Sequence, residues 1–161
     1  MNFVITMSRQ FGAGTTIISQ QLSKILEVPV FDKAYIKHET DVHHYDTESE
    51  TIHELAKKPC IIVGRCASDI LKEQRNVVNI FITADKADRI NRIMESESLS
   101  HEEATAKVEK TDHERAEYYF EHTGKYWGDV NDYHMILDTS LLEVDECAHI
   151  LMKYFERMEY I

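Results

Sequence analysis

The chain has 161 residues, of which 43% are hydrophobic and 29% charged, and it carries a formal charge of -11 at pH 7. That length suits one domain with a single sizeable core, and the balance excludes a chain disordered throughout. The acidity argues against nucleic acid as a partner, because sequence-independent affinity there comes from many Lys and Arg contacts to phosphates; a small phosphorylated ligand needs only a local cationic patch.

The first element, "NFVITM" (Asn2 to Met7), reads as a buried strand, and "SRQFGAGTT" follows as a glycine-rich turn. Ile18, Leu22, Ile25 and Leu26 then recur at helical spacing. "VPVFD" (Val28 to Asp32) reads as a short second strand, and the polar stretch after it as a short helix and a loop. A helix resumes near Glu50 with Ile52, Leu55 and Ala56. "PCIIVG" (Pro59 to Gly64) reads as a strand, with Arg65 opening a helix through Ile70 and Leu71. "NVVNIFITA" (Asn76 to Ala84) is a fourth strand, followed by a helix with Ala87, Ile90, Ile93 and Met94 on one side. Ser100 and Glu103 form a capping box before a helix reaching about His122. "HMILDT" (His134 to Thr139) is the last strand, and Ser140 to Glu143 repeats the capping pattern before a terminal helix with Val144, Ala148, Leu151 and Phe155. The expected fold is α/β, a parallel sheet with helices on both faces. Ligands bind such sheets at the carboxyl ends of the strands.

The turn after the first strand is a partial match to the phosphate-binding loop G-x-x-x-x-G-K-[ST]. Gly12, Ala13 and Gly14 allow close backbone approach, Gly14 takes the second glycine position, and Arg9 stands at the first. Thr15 stands where the lysine would be, and Thr16 keeps the hydroxyl that ligates magnesium. The amides of Gly12 to Thr16 and the helix N-terminus still attract an anion, and Arg9 is a candidate replacement for the lysine. Arg65, leaving a central strand, is costly to bury without an anion or a carboxylate. Arg89 and Arg92 lie three apart on one helix, as do Asp112 and Arg115 on another. Phosphoryl transfer needs such a clamp around charged oxygens. His38, His43 and His44, with Asp41 and Asp46, match no named zinc pattern and read as a polar loop. Trp127 reads as a packing anchor, and Tyr118 and Tyr119 as packing with one face toward a ligand. Cys60, Cys66 and Cys147 have no metal-like or disulfide spacing and read as reduced thiols of a cytoplasmic protein. The first residues do not read as a secretory signal, and no apolar run is long enough to cross a membrane.

With these residues assembled, the chain resembles the cytidylate kinase-like family of P-loop nucleoside-monophosphate kinases. The stretches that carry the resemblance are "ITMSRQFGAG", "VPVFDK", "ETIHELAKKPCIIVGRCASDIL", "NVVNIFITADKADRINRIM", "LSHEEATAKVEKTDHERAEYYFEHTGKYWGD" and "YHMILDTS". It implies a three-layer P-loop fold in one domain over residues 1–161, with a five-stranded parallel sheet, a monophosphate-binding insert at about 33–50 and a helical lid at about 96–128. It implies transfer of the ATP γ-phosphoryl to CMP, dCMP or a similar monophosphate, with magnesium. By position, Gly12, Ala13, Gly14, Thr15 and Thr16 would cradle ATP phosphates, and Thr16 would hold the metal. Asp32, Arg65, Asp112 and Arg115 would meet the acceptor nucleotide. Arg9, Arg65, Arg89, Arg92 and Arg115 would neutralise the phosphoryl oxygens. A homodimer is compatible with the family. The chain departs from it at Thr15 and Thr16, where the subfamily has Gly and Arg. It also has Cys66 where cytidylate kinases have Asp, and its insert is short. Two alternatives therefore stay open: a catalytically silent nucleotide-binding protein, and a kinase for a different small acceptor.

Overall fold

A computed structural model describes residues 2–160. Five strands form one parallel sheet: β1 (Val4–Arg9), β2 (Val30–Phe31), β3 (Cys60–Val63), β4 (Val77–Thr83) and β5 (Met135–Asp138). Their spatial order is β2-β3-β1-β4-β5. β1 is thus central, with Val4 beside Cys60 on one side and Val77 on the other. Each parallel connection carries helix: α1 (Thr15–Leu26), α2 (Lys33–Val42), α3 (Glu48–Leu55), α4 (Ala67–Ile70), α5 (Lys86–Glu97), α6 (His101–Thr123) and, after the last strand, α7 (Val144–Arg157).

Alternation along the strands splits the core into two faces. Ile5, Met7, Ile61, Val63, Ile80 and Ile82 pack against Ile18 and Leu22 of α1 and Cys147, Leu151 and Phe155 of α7. Val4, Cys60, Ile62 and Val77 point the other way, against Ile36, Ile52, Ala56 and Leu71. A third cluster, Ile90, Ile93, Ala104 and Val108, joins α5 to α6 and takes in Phe11 from the glycine-rich loop. Among the described residues no helix is long and apolar enough to cross a membrane.

The three-layer parallel architecture is as expected, and several local readings are corrected. The short helix and loop after Asp32 are present as expected, with helix resuming at Glu48, but His38 lies on α2 rather than in the loop. Arg65 does not open a helix: Gly64, Arg65 and Cys66 all take positive φ (76°, 55° and 59°), and α4 begins only at Ala67. Ile25 and Ala87 face outward, because α1 and α5 each bury a narrower stripe than the apolar spacing suggested. The Ser100 capping box is present, with both reciprocal bonds. The second is not: α7 is capped at Glu143 with no side-chain bond. Ser140 instead donates to Asp138 at 2.6 Å and accepts from the Asp85 amide at 2.7 Å.

Candidate functional site

The carboxyl ends of β1, β2 and β3 bring together the glycine-rich loop, Asp32 and the Gly64–Cys66 turn. Residues 10–14 of that loop lead straight from β1 into α1. Gly12 and Gly14 both have positive φ (83° and 96°), and a Cβ at either would collide, 2.9 Å from the Arg89 carbonyl oxygen or 2.8 Å from Val144 Cγ1. Glycine is required here by conformation and by space. Ala13 N–H donates to the Gln10 carbonyl at 3.3 Å and Phe11 N–H to Asp112 Oδ1 at 2.8 Å. The amides of Gly12, Gly14, Thr15, Thr16 and Ile17 donate to no protein acceptor among the described residues. Free amides at a helix N-terminus, on a glycine-bent loop, form a site for phosphate oxygens.

These amides border an open cavity of about 1230 Å³, which Asp32, Lys33, Arg92 and Arg115 also line. The exposed Thr16 lies on it, where a hydroxyl can ligate a cation carried by a bound polyphosphate. Thr15 is only 5% exposed, and its hydroxyl is buried without a partner among the described residues. The position that carries lysine in other phosphate loops is thus turned into the protein.

A second cavity, of about 310 Å³, opens beside the first, with Gly64, Arg65, Cys66, Tyr118, Tyr119 and Trp127 in its wall. Arg65 gives its fork to Glu48 of α3, Nε to Oε2 at 2.7 Å and Nη2 to Oε1 at 2.9 Å, and its guanidinium lies 4.4 Å from the Tyr118 ring centroid. Burial opposes the Arg65 charge, but Glu48 and Tyr118 outweigh it and hold the guanidinium above its ordinary pKa. Burial pushes the Cys66 thiol up to about 11, so it stays protonated at neutral pH. Trp127 packs edge-on to Phe81 at 5.3 Å, the expected anchoring role, while also facing this cavity.

Arg9, Lys33 and Arg115 line both cavities. Arg9 makes no ion pair among the described residues; its Nη1 would be 2.6 Å from a Cβ at position 64. Burial first, then repulsion from Arg115 and Arg65, depress its pKa, against attraction from Asp32. Arg115 is likewise lowered by burial, with Asp112 opposing. It donates to the Arg9 carbonyl at 3.2 Å. Asp32 caps α2 by accepting from the Tyr35 amide at 2.9 Å. Lys33 was not singled out from the sequence, where a lysine opening a polar segment has no distinguishing signal.

Arg89, Arg92 and Asp112 sit differently from the other candidates. Arg89 is 5% exposed, and its Nη1 meets Asp112 Oδ2 at 2.6 Å and the Phe11 carbonyl at 3.2 Å. Arg92 reaches the carbonyls of Gly12 and Ala13. In this structure all three hold the glycine-rich loop.

Residues 35–141 match the model of the cytidylate kinase-like family; the loop itself lies before that stretch. A cytidylate kinase of Pyrobaculum neutrophilum is 22% identical over 169 residues, covering 94% of this chain and 91% of that protein. An uncharacterized protein from Eubacterium ventriosum superimposes with a TM-score of 0.87 at 26% identity, over 96% of this chain and 98% of that one. A gluconokinase from Sinorhizobium meliloti (TM-score 0.64, 10% identity, 98% and 93% covered) shares the fold. So does a shikimate kinase from Bacteroides thetaiotaomicron (TM-score 0.61, 16% identity, 96% and 98% covered).

Proposed function

The chain belongs to the cytidylate kinase-like family, and from that premise we propose that it transfers the γ-phosphoryl group of ATP to a nucleoside monophosphate, with CMP or dCMP preferred. The observation that carries this reading is the junction of the two cavities at Arg9, Lys33 and Arg115. A phosphoryl donor on the loop amides and an anionic acceptor beside Arg65 would meet there. The acceptor phosphate oxygen would form the new bond to the γ-phosphorus as the bond to the β–γ bridging oxygen breaks, and ADP would leave. No covalent enzyme intermediate is needed, because in-line positioning and charge neutralisation supply the catalysis. Arg9, which forms no ion pair among the described residues, gains most from the arrival of phosphate and would take over the missing lysine's role. Magnesium, brought with ATP, would screen the phosphate charge, and the Thr16 hydroxyl fits as its protein ligand. The half-buried Tyr118 and Trp127 line the second cavity, where a base would pack, and α6 with the segment after it fits the role of the lid. The reading implies a cytoplasmic protein, where ATP is supplied.

Coupled assay of ADP release with magnesium and ATP against CMP, dCMP, UMP, AMP and GMP tests this proposal. Turnover with a cytidine monophosphate, lost in Arg65→Ala, supports it. Turnover with none of the five, beside retained ATP binding, would favour the second reading, nucleotide binding without catalysis. The burial of Thr15 and the occupied fork of Arg65 favour that reading. The 310 Å³ volume of the second cavity, near the lower end of the usual ~300–1,000 Å³ for ligand sites, favours a small non-nucleotide acceptor as the third.

A further inference from the structure

We propose that Arg92 and Thr139 form a clamp behind the glycine-rich loop, and that Arg92 is thereby a positioning residue for the phosphates bound in front of it. The proposal rests on the phosphoryl-transfer reading, since it assumes that phosphate is the loop's ligand.

The geometry is specific. Arg92 Nη1 donates to the Ala13 carbonyl at 3.2 Å and to Thr139 Oγ1 at 2.8 Å, with a weaker approach to the Gly12 carbonyl at 3.4 Å. Its Nη2 donates to the Thr139 carbonyl at 2.7 Å. Thr139, wholly buried, donates its hydroxyl to the same Ala13 carbonyl at 2.9 Å. Its own amide bonds the Thr83 carbonyl at 2.9 Å, extending the β4–β5 ladder by one residue. The Ala13 carbonyl is thus gripped twice, once from α5 and once from the end of β5.

A trans peptide holds its C=O and N–H pointing in opposite directions within one rigid plane. The Ala13 carbonyl and the Gly14 N–H belong to one such plane. Fixing the carbonyl rearward aims the Gly14 N–H away from Arg92, and that N–H donates to no protein group among the described residues. Gly14, at φ 96°, has no side chain to resist rotation of this peptide. Without the clamp the peptide is free to turn its carbonyl oxygen toward the ligand, replacing a donor with an acceptor. A cation bonded to that carbonyl also polarises the peptide and strengthens its N–H as a donor. The chain that lacks the loop's lysine thus keeps a positive charge behind the loop.

Three variants, Arg92→Met, Thr139→Val and Thr139→Ser, test the clamp by calorimetric titration with magnesium-ATP and with inorganic tripolyphosphate, which has no base or sugar. Arg92→Met is expected to weaken both ligands about tenfold or more. Thr139→Val is expected to weaken both several-fold, and Thr139→Ser, which keeps the hydroxyl, to bind as wild type. Wild-type affinity for tripolyphosphate in Arg92→Met or Thr139→Val overturns the clamp. If Arg92→Met does not fold, the contrast between Val and Ser at position 139 still separates a clamp from none. A wild-type protein that binds neither ligand overturns the phosphoryl-transfer reading together with the clamp, whereas unaffected variants beside a binding wild type overturn the clamp alone.

Discussion

Arg89 and Asp112, on two different helices, clip the glycine-rich loop between them. Their ion pair is 2.6 Å long, and Asp112 accepts the Phe11 amide while Arg89 donates to the Phe11 carbonyl. Arg89 also donates Nε to the Ala84 carbonyl at 2.9 Å, so its fork is committed inside the protein. Removing one partner of a buried pair costs about 3–5 kcal/mol, and Asp112, a fifth exposed, belongs at the lower end. Asp112→Ala should lower Tm by about 6–12 °C in thermal unfolding without ligand. An unchanged Tm with a large rise in KM for the acceptor would return Asp112 to the acceptor-binding role that the family resemblance implies.

Glu48 occupies the fork of Arg65 that an anionic acceptor would need. Both side chains are shielded from solvent, 13% and 24% exposed, so their attraction is stronger than that of a surface pair. Glu48→Gln keeps the shape and removes the competing charge. The acceptor KM should fall several-fold with kcat little changed, read from initial rates with the monophosphate that turns over. A tenfold rise in KM would mean instead that Glu48 holds Arg65 in its working orientation.

Lys33 opens α2 directly after its cap Asp32, lines both cavities and makes no ion pair among the described residues. A lysine is a compact, movable point charge suited to a transferring phosphate. Lys33→Met should reduce kcat by about 10- to 100-fold and leave the KM for ATP close to wild type, with Lys33→Arg partly restoring the rate. Equal losses of affinity for ATP and no change in kcat would make Lys33 a binding group only.

The sequence made the layering legible because apolar runs bounded by glycine, proline and charge recur in strict alternation, and two-faced burial leaves such runs few other uses. Arg9 and Arg65 were legible as residues at the carboxyl ends of strands, but that β1 and β3 lie side by side and that Arg115 of α6 joins them comes only from the folded chain. Helix spacing placed Arg89 and Arg92 on one face but not on a neighbour, so the loop carbonyls behind them were not foreseeable. Lys33 and Glu48 sit in a polar stretch whose composition suits solvent equally well. Ser140 satisfies a capping pattern by spacing alone, but α7 begins only at Val144, and the Ser140 hydroxyl oxygen accepts the Asp85 amide instead of an amide of that helix.

Arg9 places stability and activity in opposition. Its guanidinium is largely buried, pairs with no carboxylate among the described residues and is repelled by Arg115 and Arg65. A base whose folded pKa is depressed destabilises the folded state while it is charged, and that cost is relieved only as pH rises above the folded value. Replacing the charge relieves it at every pH below that point. Arg9→Met should therefore raise the Tm of the ligand-free protein by about 2–4 °C, on the order of 1 kcal/mol. The same change should cost about a thousandfold in kcat, the scale on which an arginine neutralising a transferring phosphoryl group acts. Sulfate provides an independent reading, since an anion that binds only the folded protein raises Tm by mass action. Wild type should gain several degrees from sulfate and Arg9→Met markedly less. A variant that is less stable, yet turns over and responds to sulfate as wild type does, would make Arg9 a structural residue and leave the loop's missing lysine without a replacement at this position.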